Sequence, residues 1–532
     1  MSESPRAVVI GSGIGGSAAA MLLAHAGVPV TLIEKNRRAG GSCSGYDKQG
    51  FHIDIGTHMF CRGNKGPLGE VLRRVGREGA IEFRRTRDIA QLRFPVRDGA
   101  RDVIDGVARV SVPSDFARMP KFVFELASAL RLPLKEALSA ARLFTRILTM
   151  SEAEAISWDH RTLEEFMLPY CDHPGVVGVF GFLLGLYFIV PYWQVSAGEA
   201  ILAFQRMAKD NALSYPRGGA IAIPNAYCRI AKERGADVKI GVGARRVLLS
   251  NGSEPKKVRG VELEDGTIVP ANIVVSTSSA RTTVMKLVGA EHFPEAYVDD
   301  VKKIVGSMIA VQAKIGLKKR LVDAGCIVGG VGDGVDLLSV TTNEMKEMFA
   351  SVTHGKIPGI VPFYCPVPSN FDPDLAPPGH QLLTVCAVAP TSNIALVDNA
   401  AAWEEAMLRA LEQVVPGLRE NALFIDRFSV EFIEKWIGKE FGPAVSTAQI
   451  PTQVGRSRLP TYAPIRGLYL AGCCAGGRGV GTELAASSAM ECVDRILVDH
   501  GIPLFSRAKS ESTQGYGIAN ALATLSRFTG PP

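Results

Sequence analysis

With 532 residues, 47% of them hydrophobic and 21% charged, the chain has a globular composition and enough length for roughly two to four domains around a large core. Its net charge of +6 is spread without a basic block, which excludes a nucleic-acid partner and leaves contact with an anionic membrane surface open. Ten cysteines with no C-x-x-C pair exclude a disulfide framework and a structural zinc, and they suit a reducing compartment.

The opening residues "MSESPRA" run into the first apolar stretch without a signal core or cleavage site, so the expected location is cytoplasmic. Residues 7–10, "AVVI", read as a buried parallel strand, and the small residues of 17–26 read as a helix. Between them Gly11, Gly13 and Gly16 satisfy G-x-G-x-x-G, which gives a tight turn, lets a pyrophosphate approach the backbone and lets helix meet strand closely. The helix start, with Ile14 and Gly15, offers free N–H groups to phosphates. A second strand, residues 30–33, ends in Glu34, placed to accept hydrogen bonds from a ribose 2′-OH and to repel a 2′-phosphate. A dinucleotide is expected, and this motif alone does not separate NAD from FAD.

Arg38-Ala39-Gly40-Gly41 begins four residues after Glu34. It resembles R-x-G-G, the second glycine motif in the flavoprotein superfamily of amine oxidases, phytoene desaturases and Rab escort proteins, and the resemblance selects FAD. Paired glycines let the chain pass close to a flat ligand, and Arg38 can meet a phosphate or a carbonyl. Lys35 and Ser42, which flank the motifs, belong to the same expected contact set. "GFHIDIG", residues 50–56, is similar to the family's G-F-x-F-D-x-G segment, which implies that Gly56 and Thr57 neighbour the flavin.

Residues 66–213 are expected to be largely helical, on the mixed three and four spacing of apolar residues in stretches such as 115–150. Within them "GVVGVFGFLLGLYFIV", residues 175–190, falls short of the ~20 apolar residues that span a bilayer and reads as a buried helix or the wall of an apolar cavity. The segment 214–249, with Pro216, Gly218 and Gly219, resembles the part of the family that returns to the nucleotide domain, and a strand near residues 242–247 is implied to reach the adenine. A hairpin about Asp265-Gly266 and a buried strand follow. The glycine cluster 329–336 fails as a second nucleotide site, since its spacing is wrong and no small-residue helix follows.

"GLYLAGCCAGGRGVGTELAASS", from residue 467, resembles the family's last FAD-contacting motif and implies contacts at Gly472, Gly479, Val480 and Gly481. A helix N-terminus there would face the pyrimidine edge of the flavin. Cys473-Cys474 stand where relatives often carry an acid; two small buried thiols are the reading preferred over a covalent cysteinyl flavin.

The resulting expectation is an α/β fold: a Rossmann-like, glutathione-reductase-like FAD-binding domain assembled from residues 1–65, 214–290 and 441–505. Residues 66–213 and 291–440 form an α+β substrate domain with a helical cap, and 506–532 are a C-terminal extension. The chain is most similar to phytoene desaturase-like proteins, which implies dehydrogenation of an apolar, isoprenoid or alicyclic substrate by hydride transfer to flavin N5. A separate electron acceptor, oxygen, quinone or NAD, completes the cycle. Candidate proton acceptors are His58, Tyr187, Tyr192 and Glu483, and Trp193 either lines the ligand cavity or belongs to the core. His52 and His58 lack further ligands, so no metal is expected. A flavin amine oxidase and a non-catalytic prenyl-binding escort protein are the alternatives. Peripheral membrane contact, through a hydrophobic rim on the cap, and oligomerisation stay open.

Overall fold

The structure is a computed structural model that describes residues 4–95, 103–104, 107–113, 133–173, 176–177, 185, 187–210, 213–252, 256–332, 341–389, 400–428, 430–440 and 442–505, with isolated positions 118, 121, 125 and 128. The C-terminal extension 506–532, most of the apolar run 175–190, the first part of the helical stretch 115–150 and residues 333–336 of the glycine cluster lie outside the described residues.

Five short strands make a parallel sheet in the order Asp237–Ile240, Val30–Glu34, Ala7–Ile10, Ile273–Ser276, Leu468–Leu470. Its strands come from three chain segments, residues 7–34, 237–276 and 468–470, so the chain leaves and re-enters this sheet. Ala7–Ile10 is buried throughout, as a central parallel strand covered on both faces must be. Alternation sorts the side chains. Ala7, Val9, Leu32 and Val275 meet the helices Ile14–His25, Ala222–Glu233 and Gly481–Asp499, whereas Val8, Ile10, Ile33 and Val274 meet an antiparallel sheet of Ala244–Leu249, Val258–Leu263 and Ile268–Pro270. Ile14–His25 is buried along its length except at His25, which explains its run of glycine, alanine and serine: neighbouring elements pack against it from several sides.

An eight-stranded mixed sheet runs in the order Ala422–Phe428, Ile309–Leu317, Gln381–Ala389, Ile360–Pro366, Cys326–Gly332, Asp88–Pro95, Val107–Pro113, Val103–Ile104. One face is covered by helix Ala400–Val414 through Trp403, Met407 and Leu411. In Ile309–Leu317 the odd residues Ile309, Val311, Ala313 and Ile315 join that core, which sends Ala310, Gln312 and Lys314 to the other face. Across from this second face lie helices Leu134–Thr149, Glu152–Ser157, Leu163–Met167 and Ala197–Asp210, which share a core with Phe188, Tyr192, Ile360 and Val480.

Two expectations need correction. Residues 66–213 are not helical throughout: Asp88–Pro95, Val103–Ile104 and Val107–Pro113 supply an edge of the large sheet, where β-branched alternation such as "VARVSV" outweighs helix spacing. Helix Pro67–Arg73, on the substrate side of the expected division, packs Leu68, Val71 and Leu72 into the nucleotide core against Gly481–Asp499. The glycine cluster from residue 329 begins inside strand Cys326–Gly332.

Candidate active site

The first turn is set by Gly11, at φ +95°, whose N–H donates to Ile33 O at 2.8 Å. A Cβ on Gly16 would stand 1.8 Å from Gly11 O, so only glycine lets the helix sit this close to the strand end. Helix Ile14–His25 has Gly13 at its N-cap and no side-chain cap, leaving its first amides for a ligand. Glu34 is buried at the end of its strand. Its Oε2 accepts from Ser12 N at 2.9 Å and from Ser12 Oγ at 2.6 Å, and Oε1 accepts from Asn36 N at 2.9 Å, which fixes the carboxylate beside the turn.

Gly40, at φ +118°, donates to Ser12 O at 3.1 Å and bridges to Gly13, so the two glycine turns lie side by side. Gly56 and Thr57 pack onto the same turn, with Thr57 N donating to Ser42 O at 3.1 Å. From the far end of the chain Gly472 reaches the spot: a Cβ on Gly15 would lie 3.2 Å from its Cα. Helix Gly481–Asp499 starts just beyond, with Val480 as N-cap.

These pieces open onto one cavity of about 1010 Å³. Its nucleotide end is walled by Gly11, Gly13, Ile14, Gly15, Glu34, Lys35, Gly40, Gly41, Ser42, Gly56, Thr57, Gly472, Val480 and Gly481. Gly243 and Ala244, near the strand expected to reach an adenine, line it as well. It continues to the free face of the large sheet at Leu92, Ala310 and Val328, and to the cap helices at Phe144, Phe204 and Met207. Val176, Tyr187 and Ile189, the described cavity-lining members of the apolar run 175–190, form part of this wall. The glycine cradle and the extended shape fit a dinucleotide with an apolar molecule beyond it.

Four of the expected site residues are placed elsewhere. Arg38, expected to touch the cofactor, turns outward instead, half exposed, donating to Gly45 O at 3.0 Å and to Asp47 at 3.1 Å. Gly479 N–H is taken by Glu199 Oε1 at 2.6 Å. Tyr192 is buried in the cap core, edge-on to Trp193, which in turn meets Phe349. Gly16 acts behind the wall, at the helix–strand contact.

Of the candidate proton acceptors, His58, Tyr187 and Glu483 line the cavity. Burial pushes Glu483 up to about 7, with the Arg62 guanidinium 3.8 Å away opposing the shift. Burial, followed by the charge of Lys314, holds His58 well below its ordinary value, and burial raises the Tyr187 phenol. Lys314 was not legible as a site residue. It is fully buried, 2.9 Å from His58 Nε2 and 3.0 Å from Gln312 Oε1, and burial lowers it to about 8. Nearby Asp54, raised by burial to about 6, accepts from Tyr215 Oη and from Ala220 N. Also unforeseen is an ion triad joining cap to glycine loop: Arg478 pairs with Asp159 at 2.5 Å and with Glu199, buried at the start of a cap helix, at 3.0 Å.

Cys473 and Cys474 face the cavity, and burial raises the Cys473 thiol, which disfavours the thiolate a covalent flavin link requires. His52 is exposed and pairs with Asp47, apart from His58. Among the described residues no group of three or more His, Cys, Asp or Glu is arranged for a metal ion, and no helix is long and apolar enough to cross a membrane.

A parallel sheet with two glycine turns at its strand ends, opening on a long apolar cavity, defines a flavin-dependent oxidoreductase with FAD as its cofactor. The chain belongs to the flavin containing amine oxidoreductase family, whose model matches residues 14–497. It is 24% identical over 450 residues to a neurosporene-forming phytoene desaturase of Cereibacter sphaeroides, covering 79% of this chain and 80% of that protein. It is also 24% identical over 424 residues to the all-trans-retinol 13,14-reductase of Rattus norvegicus, covering 73% of this chain and 66% of that protein. An oxidoreductase from Methanosarcina mazei shares the fold, with a TM-score of 0.67 at 21% identity over 91% of this chain and 99% of that one.

Proposed function

We propose that this flavoprotein dehydrogenates a CH–CH unit of an apolar, isoprenoid or alicyclic substrate. The observation that carries the reading is the cavity itself: glycine turns at one end and Phe144, Phe204, Leu92 and Val328 at the other, with no break between. The names of the relatives, desaturases and a reductase of isoprenoids, support the same class of substrate. Bound FAD supplies the hydride acceptor, at N5 of its isoalloxazine. Glu34 would take the ribose hydroxyls, the amides about Gly13, Ile14 and Gly15 would take the phosphates, and the start of helix Gly481–Asp499 would face the flavin's pyrimidine edge.

The chain's own contribution is orientation and exclusion of water by the apolar wall, together with a group to receive the second hydrogen as a proton. Glu483 suits that role, since it lines the cavity and at about 7 its carboxyl exchanges a proton near neutral pH. His58, neutral and held by Lys314, orients rather than titrates. The electrons then pass to oxygen, a quinone or NAD.

Anaerobic mixing of the purified protein with terpenes, carotenoid precursors, alicyclic ketones and amines tests the reading. Bleaching of the flavin band by an isoprenoid or alicyclic compound is the expected result. Bleaching by amines alone would replace it with the amine oxidase reading, and absence of flavin after reconstitution would overturn the cofactor site.

A further inference from the structure

Three cations line the cavity among the described residues: Lys35, Arg281 and Lys439. Lys35 Nζ donates to Lys435 O at 2.8 Å, and Arg281 donates to Lys302 O at 2.7 Å and faces Glu440 at 3.8 Å. Lys439 differs from both. It is part-buried, its Nζ donates to the carbonyl of Ala444 at 3.3 Å, and among the described residues no carboxylate pairs with it.

Its surroundings identify the missing anion. Lys439 lies within electrostatic reach of Cys43, Cys473 and Cys474. Cys43 closes the turn that follows Gly40 and Gly41, and Cys473 follows Gly472, which touches Gly15. Lys439 thus lines the same cavity as both glycine turns and Gly472, and the helix just before it, Val430–Ile437, packs on Gly41–Cys43. The segment that carries it is pinned to the nucleotide sheet, since Asn36 Nδ2 donates to Trp436 O at 2.8 Å and Lys35 holds Lys435 O. Arg38, the cation that the second glycine motif brings near, is spent on Gly45 and Asp47.

We propose that Lys439 is the cation that meets the diphosphate of the bound dinucleotide, reaching across from the substrate half of the chain. The inference rests on FAD being the cofactor. A diphosphate carries two negative charges, and helix amides supply only partial positive charge, so a full cation at their side completes the site. Burial lowers Lys439, and among the described residues only the Ala444 carbonyl accepts from it and no carboxylate pairs with it, the state expected of an ammonium whose counter-ion is the ligand.

The test is binding, read by calorimetry on deflavinated protein with FAD, ADP and riboflavin as separate probes. Lys439→Gln should weaken FAD and ADP by roughly tenfold to hundredfold, the range for a hydrogen bond to a charged group, and leave riboflavin unchanged. Lys439→Arg should keep most of the affinity, and Lys439→Met, which retains the stem, should match the glutamine variant. Equal affinity of wild type and Lys439→Gln for FAD and ADP would overturn the proposal, as would a parallel loss of riboflavin. If wild-type protein takes up no FAD, the cofactor reading falls together with it, a result distinct from either.

Discussion

The ammonium of Lys314 lies 2.9 Å from Nε2 of His58, a contact between a strand of the large sheet and the segment that follows Gly56 and Thr57. With Lys314 donating, Nε2 is the acceptor and the ring proton sits on Nδ1, a buried nitrogen without a hydrogen-bond partner among the described residues. Lys314 also depresses the His58 pKa, after burial, the larger cause. Replacing it by methionine should raise the His58 pKa yet leave it below 6.5, because burial remains. A ring-proton NMR titration checks this, and an unmoved value would mean that the two groups are not coupled.

Glu483 gives a pH signature of definite sign. Its pKa is raised in the folded protein, from 4.5 to about 7, so between those values the folded state holds more protons than the unfolded one. Stability contributed by this group is present below 4.5 and lost as pH rises to about 7, a cost on the order of 3 kcal/mol. Glu483→Gln should therefore gain in Tm relative to wild type as pH rises from 4.5 to 8. Flavin reduction by substrate should rise with pH through about 7 in wild type and flatten in the variant, as stopped-flow absorbance can show.

Two glycines of one motif should separate folding from binding. At Gly16 a Cβ would lie 1.8 Å from Gly11 O, so Gly16→Ala should cost several kcal/mol and yield unstable protein. At Gly13 the nearest protein atom to such a Cβ is Gly40 O at 3.9 Å, and the φ of −60° suits alanine. Gly13→Ala should melt near the wild-type temperature while binding FAD at least tenfold more weakly, its methyl standing in the phosphate approach.

Helix Leu134–Thr149 turns Ala137, Ala141 and Phe144 to the cavity, while Leu134 and Leu138, 78% and 40% exposed, occupy the adjoining stripe. This pair is the described part of the hydrophobic rim, and we expect it to rest on a lipid surface. Vesicle co-sedimentation should decline when both residues become serine. Wild-type protein that stays in the supernatant with neutral and anionic vesicles alike would end the idea.

How much of this was legible depends on how local the cause is. Glycine turns and buried strands are dictated within a few residues, so Ala7–Ile10, Val30–Glu34 and the hairpin about Asp265-Gly266 could be read directly. Destinations of long side chains could not. Arg38 finds Gly45 and Asp47 beyond the turn at Gly41–Cys43, and Gly479 loses its N–H to Glu199, 280 positions away. Lys314 resembles any strand lysine until the facing of the large sheet is known; its alternation with Gln312 and Ala310 was the available signal. Strand Val107–Pro113 was missed because the three and four spacing of the stretch that follows was extended over it, although its own alternation, "VARVSV", was the available signal.

The triad of Arg478, Asp159 and Glu199 has a mechanical meaning. It rivets the roof over the substrate to the loop beside the cofactor, and prising them apart would strand buried charge at about 3–5 kcal/mol. A roof so fastened should keep its distance from the glycine loop through turnover, which leaves the Leu134 end of the cap, away from the triad, as the edge where apolar molecules would enter.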